Sequence, residues 1–335
     1  MKPEKTPITI TARAERHALR EPFRIARCTT THSLMMVVEL HAGGFTGRGE
    51  CEPHETDEAM LDEAVAEATA LTPILAEGIT RDELPAALPR GPVRNAVDCA
   101  LWDLDAKRAG IGAAALAGLP PLRPCPTVYT LGIDSPEAMA RKAADKTDWT
   151  RFKIKLGGVE AARDLARVEA VRRARADADL IVDANGGWSM DLLERMAPAL
   201  ASLGVRLIEQ PLAPEADEAL IGYRSPVPLC ADEACLDRAS LPRVIGRYSH
   251  INIKLDKTGG LTEALALADA AEAAGLGIMV GCMTGTSLAM APALLVAQRA
   301  AFVDLDGPML LAADRPHGLR YEKGLVHPAE PALWG

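Results

Sequence analysis

The sequence predicts a mixed α/β protein: a (β/α)7β barrel of the TIM type, carrying an α+β N-terminal capping domain that the C-terminal segment completes. Three observations predict it. After Pro126, short apolar runs alternate with amphipathic stretches until eight strands have passed. Strands alternating with helices imply a parallel sheet, and eight of them imply a closed barrel. Before that point the order differs, with strands first and helices after, and beyond residue 306 the repeat stops. The expected boundaries are residues 1–122 for the cap, 123–306 for the barrel and 307–335 for a segment packing back on the cap.

In the cap, ITITARAER and LMMVVELHAGGFTGRGE read as strands with a Gly-rich turn inside the second stretch. DEAMLDEAVAEATALTPIL and VRNAVDCALWDLDAKRAG place apolar residues at helical spacing. The barrel strands are TVYTLGI, RFKIKL, LIVDAN, VRLIEQPL, VPLCADE, HINIKL, GIMVGCM and AFVDLDG. A helix follows each of the first seven: PEAMARKAADK, VEAARDLARVEAVRRA, SMDLLERMAPALASL, a short one near EADEAL, DRASLPRVIG, GLTEALALADAAEAAG and TSLAMAPALLVAQRA.

Composition narrows the function. The 335 residues are 48% hydrophobic and 25% charged, ordinary for a globular protein. A net charge of -9 with no long basic run argues against a nucleic-acid groove or a membrane-surface stripe. No apolar run is long enough to span a bilayer, and MKPEKTPITITARAERH lacks a signal peptide's apolar core. A cytoplasmic location is therefore expected, and a homo-oligomer is left open. The seven cysteines are scattered without a CxxC pair, which fits reduced thiols rather than a disulfide frame or zinc site.

In RFKIKL, alternate side chains point to opposite faces, so Lys153 and Lys155 share one. Two ammonium groups inside a barrel are costly unless they have partners or a task. Active sites of such barrels form at the C-terminal strand ends. Strand three brings Asp183 and Asn185 there, strand four Glu209, strand five Asp232 and Glu233, strand six Lys254, and strand eight Asp304 and Asp306. One Asp at a strand end is usually a cap or turn residue. Three successive strands each ending in a carboxylate are another matter, since the anions would repel without a cation. Oxygen-only ligation suits a hard divalent ion, most readily Mg²⁺.

Lys155 and Lys254 come from strands two and six, opposite one another around eight. A substrate between them has one amine on each face. The nearby metal and Lys153 disfavour a protonated Lys155, lowering its pKa towards neutrality. A carboxylate-bearing substrate could then lose its α-proton to one lysine as an enediolate and regain a proton from the other, inverting the centre.

These residues resemble the enolase superfamily, muconate-lactonising subgroup. The marks are KIK (153–155), VDAN (182–185), EQP (209–211), ADE (231–233), NIK (252–254) and RNAVDCALWDL (94–104). Asp304-Leu305-Asp306 looks like the DxD signature of dipeptide epimerases, while INIKLDKTGGLTEALALA and GRGEC look like the L-Ala-D/L-Glu epimerase branch. The resemblance implies that Asp183, Glu209 and Asp232 hold Mg²⁺, that Lys155 and Lys254 are the acid/base pair, and that Lys153 is auxiliary. Asn185 and Glu233 would support them, and Asp304 and Asp306 would receive the substrate's α-ammonium group. Arg27, or else Arg24, would meet a glutamate side chain; Thr130, Met283, Thr284 and Ser287 would line the pocket. The implied activity is conversion of L-Ala-D-Glu to L-Ala-L-Glu in murein peptide recycling. The alternatives are an o-succinylbenzoate synthase or cycloisomerase type of lyase, and an N-acylamino acid racemase. The loop EPHETDEAM reads shorter than its counterpart in that branch, so the resemblance says least about side-chain specificity.

Overall fold

The protein is described by a computed structural model over residues 6–157 and 161–335. Residues 1–5 of the cap, Gly158 of RFKIKLGG and the start of the helix expected from Val159 lie outside those residues.

Three antiparallel strands open the chain: β1 (Thr9–Arg24), β2 (Thr29–Ala42) and β3 (Phe45–Cys51). β1 runs past ITITARAER to Arg24, with a register shift between Ala18 and Phe23, so PFR in PFRIAR is a strand end. The helix Pro92–Ala109 crosses this sheet. A Cβ at Gly47 or Gly49 would collide with the carbonyl oxygens of Ala100 and Ala96, which explains the glycines of GRGEC. DEAMLDEAVAEATALTPIL divides into two helices, Glu58–Ala70 and Thr72–Ala76. Asp57 caps the first by accepting from Ala59 N at 2.9 Å, and Pro73 sits in the first turn of the second.

After β4 (Cys125–Pro126) come eight parallel strands: β5 (Tyr129–Leu131), β6 (Arg151–Lys155), β7 (Asp179–Asp183), β8 (Val205–Glu209), β9 (Leu229–Ala231), β10 (His250–Ile253), β11 (Gly277–Val280) and β12 (Phe302–Val303). They pair in chain order, and the sheet curls until its edges meet, where Val128 N donates to Val303 O at 3.0 Å. Phe152, Ile154 and Leu156 point outward into the apolar layer beneath the helices. Val128, Ile181, Leu207, Cys230 and Met279 plug the inside of the barrel. Burying each such side chain stabilises the fold by roughly 1.5–3 kcal/mol.

Two helices depart from expectation. DRASLPRVIG is helical only over Leu241–Val244. Ser240 Oγ accepts from Leu236 N and Asp237 N, and Asp237 accepts from Ser240 N, a local turn that competes with helix. An extra short helix, Leu255–Thr258, follows Lys254 directly.

At the C-terminus, β13 (Tyr321–Glu322) and β14 (Leu325–Val326) form a small sheet with β4. The last residues reach the cap: Trp334 Nε1 donates to Cys99 O at 3.1 Å and Gly335 N to Asp103 Oδ1 at 2.7 Å. Among the described residues no helix is long and apolar enough to cross a membrane, and all seven cysteines are free thiols.

Candidate active site

The rim follows from register. Parallel pairing sets Lys155 beside Asp183 and Asp183 beside Glu209, so consecutive strands deliver charged side chains at one level. Asp232 follows β9 and Lys254 follows β10, four strands from Lys155. The strands end at the floor of a partly open cavity that Phe23, Ile25, Arg27 and Glu52 of the cap also line.

Lys153 and Lys155 point inward, as alternation predicts. Lys153, 1% exposed, has its Nζ 2.7 Å from Asp304 Oδ2, 2.7 Å from Glu209 Oε2 and 3.1 Å from Asp183 Oδ2. One ammonium thus compensates three carboxylates. Lys155 Nζ donates to Asp183 Oδ2 at 2.6 Å and to Asn185 Oδ1 at 3.3 Å. Lys254 Nζ donates to Asp232 Oδ2 at 2.7 Å. Both Lys155 and Lys254 line the cavity.

These pairs set the charge states. Burial favours a neutral Asp183, but Lys155 and Lys153 outweigh it and hold the carboxyl below its ordinary range. Asp232 is likewise held well down by Lys254 and Lys257 against burial. Glu209 goes the other way, to about 7, because burial and the neighbouring Asp183 outweigh Lys153. Burial alone would lower Lys153, yet Asp304, Glu209 and Asp183 raise it well above an ordinary lysine. Asp232 raises Lys254 in the same way.

Three residues of this lattice escaped the sequence reading. Lys257 Nζ lies 2.6 Å from Asp232 Oδ1. It follows Lys254 by three residues, and the helix Leu255–Thr258 turns it back to the same carboxylate. Asn252 Nδ2 donates to Glu209 Oε1 at 2.7 Å. Gln210 Oε1 accepts from Asp232 N at 2.8 Å and Ala234 N at 3.1 Å, which shapes the loop carrying Asp232. Asn252 and Gln210 stand inside NIK and EQP, so their signal was the motif itself.

At one end of the cavity Asp306 Oδ2 accepts from Thr130 N at 2.5 Å. Thr130 Oγ1 lies 3.3 Å from both Asp304 Oδ1 and Asp306 Oδ1. Burial, then Asp304, pushes the Asp306 carboxyl up to about 8. Towards the cap, Arg27 Nη1 donates to Glu233 Oε1 at 3.0 Å, and Arg27 Nη2 lies 3.5 Å from Glu55 Oε1. Met283 and Thr284 line the wall together with Glu52, another cap residue that sequence reasoning missed. Thr284 N donates to Glu52 Oε2 at 3.3 Å.

Arg24 and Ser287 are placed elsewhere. Arg24 is exposed at the end of β1 and does not line the cavity. Ser287 is buried behind the wall, where its hydroxyl donates to Asp314 and accepts from Leu319 N at 2.8 Å.

The donor set of Asp183, Glu209 and Asp232 is oxygen-only and suits a hard divalent cation. Glu209 Oε2 and Asp232 Oδ1 are buried without a hydrogen bond, although ammonium groups stand close by, so each has capacity for a ligand. Among the described residues no three His, Cys, Asp or Glu side chains form a ready-drawn metal cluster, since lysines stand between these carboxylates.

The fold and the rim together define a capped β/α-barrel protein whose strand ends surround one cavity with lysines and carboxylates. Residues 137–331 match the enolase C-terminal domain-like family, and residues 7–118 match the mandelate racemase / muconate lactonizing enzyme N-terminal domain. The chain belongs to this enolase superfamily. It is 42% identical over 327 residues to the L-Ala-D/L-Glu epimerase of Escherichia coli K12, covering 95% of this chain and 99% of that protein. It is also 42% identical over 307 residues to an N-acetyl-D-glutamate racemase of Pseudoalteromonas sp., covering 90% and 95%. An enolase family member from Agrobacterium tumefaciens with homology to dipeptide epimerases, solved with sodium and L-Ala-L-Glu, superposes with a TM-score of 0.94 at 46% identity over 98% and 100% of the chains. A dipeptide epimerase from Cytophaga hutchinsonii, solved with Mg and D-Ala-L-Val, gives 0.89 at 27% identity over 98% and 95%.

Proposed function

We propose that this chain is an isomerase that epimerises a dipeptide of the L-Ala-D/L-Glu kind by moving an α-proton between Lys155 and Lys254. One observation carries the reading: two lysines four strands apart in an eight-stranded barrel open onto the same cavity beneath the cap. One lysine, presented as a free amine, removes the α-proton from one face. The other, as an ammonium, returns a proton from the opposite face, and the centre inverts.

The rest of the cavity fits a dipeptide end to end. Asp304 offers a carboxylate and Asp306 a carboxyl oxygen to an α-ammonium group, with Thr130 holding both in place. Arg27, at the cap, offers a guanidinium to an acidic side chain. Asp183, Glu209 and Asp232 would hold Mg²⁺, a Lewis acid that offsets the charge left on the substrate carboxylate when the proton departs. Recycling of murein peptides in the cytoplasm suits such a substrate, and seven unpaired cysteines suit that compartment.

The test is proton exchange. Incubation of either Ala-Glu epimer with the protein and Mg²⁺ in D₂O should replace the Glu α-proton with deuterium, and chelation of the metal should stop it. An unlabelled substrate after prolonged incubation would sink the reading. Racemisation of an N-acylated glutamate is the second reading, and one contact favours it. Lys153 already pairs with Asp304 at 2.7 Å, which lessens the need for a substrate cation there. Assaying Ala-Glu and N-acetylglutamate side by side separates the two.

A further inference from the structure

The two lysines are held in different ways. Lys254 Nζ donates to Asp232, a residue of the rim itself. Lys155 is additionally the end of a chain that leaves the barrel: Lys155 Nζ donates to Asn185 Oδ1 at 3.3 Å, Asn185 Nδ2 to Glu233 Oε1 at 3.3 Å, and Arg27 Nη1 to the same Glu233 oxygen at 3.0 Å. Arg27 belongs to the loop between β1 and β2, so the chain runs from the cap to one lysine only.

The chemistry of each link fixes its direction. An ammonium has only donors and a carboxylate only acceptors, so Asn185 must aim its oxygen at Lys155 and its amide hydrogens at Glu233. Its backbone is equally set. Asn185 sits at φ 44°, in the left-handed region that asparagine tolerates, and its N–H donates to Asp183 Oδ1 at 2.9 Å. Glu233 keeps its other oxygen, Oε2, buried and without a hydrogen bond, so it has capacity to rearrange when Arg27 moves. Arg27 itself is half exposed, with 51% of its side chain accessible, and is shared with Glu55 of the cap.

We propose that Glu233 and Asn185 are positioning residues that align Lys155 according to what Arg27 holds. A substrate's side-chain carboxylate competes with Glu233 for the guanidinium, and the change at Glu233 passes through the Asn185 amide to Lys155. The acidic side chain is then sensed twice, as affinity at Arg27 and as alignment of one acid/base lysine. Binding energy from a remote group is in this way expressed in kcat as well as in KM. The inference rests on the dipeptide reading for its substrate, but not for its geometry.

Two measurements test it on the Mg²⁺-loaded full chain. In the first, α-proton exchange in D₂O is followed separately from each Ala-Glu epimer. Glu233→Gln and Asn185→Ala should slow exchange of the epimer served by Lys155 by about 10- to 100-fold, the usual effect of removing a supporting hydrogen-bond partner, and the other epimer much less. Wild type should show a higher kcat with Ala-Glu than with Ala-Gln, and Glu233→Gln should erase that difference. Equal slowing of both epimers, or no slowing, would overturn the proposal.

The second measurement needs no substrate. Competitive acetylation of Lys155 and Lys254 by acetic anhydride, read by mass spectrometry, should change more at Lys155, which the hydrogen-bonded chain reaches, than at Lys254, which Glu233 touches only through space, in both Arg27→Ala and Glu233→Gln. Arg27 is exposed enough that its removal should leave the fold intact, and a melting curve confirms it. Unchanged Lys155 labelling would overturn the chain. If wild type exchanges no dipeptide proton at all, the proposed function falls, while the acetylation result still decides the chain.

Discussion

The barrel rim and the seam where the cap docks both bury charge, but they treat it differently. At the seam every charge has a fixed partner. Arg94 donates to Gly259 O at 3.0 Å and Thr258 O at 2.7 Å, and Asp98 accepts from Thr262 N and Oγ1 at 3.0 and 2.6 Å. Glu50 takes Arg315 Nη2 at 2.6 Å and Thr286 N at 2.7 Å. At the rim, lysines share carboxylates, and Glu209 Oε2, Asp232 Oδ1 and Glu233 Oε2 are left without hydrogen bonds. Fully paired buried charge holds two bodies together; incompletely paired charge beside a cavity is free to serve a ligand.

Substitutions can break that contrast, and the rim should respond most strongly. Lys155→Ala and Lys254→Ala should each lower epimerisation by about 10²- to 10⁴-fold, the usual contribution of a general acid or base. Their melting curves should stay near that of the parent. Full activity in both would end the two-lysine mechanism.

The seam should answer in stability instead. Arg315→Met leaves Glu50 buried without its partner and should cost about 3–5 kcal/mol in urea unfolding, with activity per folded molecule retained. A stable variant would mean that Thr286 alone satisfies Glu50.

A smaller effect of pH should come from Asp98. Burial pushes its carboxyl from an ordinary 3.8 up to about 6, against the pull of its Thr262 hydrogen bonds. Between those values the folded protein keeps a proton that the unfolded chain has lost, so stability falls as pH rises through that window, by at most about 3 kcal/mol. Asp98→Asn should flatten the slope, as read from urea unfolding at several pH values; an unaltered slope would remove Asp98 as its source.

The smallest effect belongs to Arg27, where rim and cap meet. Arg27→Ala should raise KM for Ala-Glu by roughly tenfold, the worth of one charge-assisted hydrogen bond, and leave KM for Ala-Ala nearly unchanged. An equal rise for both dipeptides would deny it a part in reading the acidic side chain.

How much of this was legible varied with distance along the chain. Alternation in RFKIKL set Lys153 and Lys155 facing inward, and the recurrence of one carboxylate per strand marked Asp183, Glu209 and Asp232. Both are local patterns, carried by a period of two and by the repeat of strand and helix. Lys257 was hidden because its signal is helical, one turn beyond a strand that ended at Ile253. The placement of Ser287 behind the wall and of Arg24 outside it depended on how a loop and a strand end pack.

Periodicity within one or two elements was enough to mark the barrel, its cap and the lysine–carboxylate rim. Which charges meet was set by packing between elements far apart in the chain. Lys153 joins Asp304 from 151 residues away, and Arg27 joins Glu233 from 206. Closure of the sheet and docking of the cap bring such groups together, and no local pattern in the chain records where a distant partner will stand.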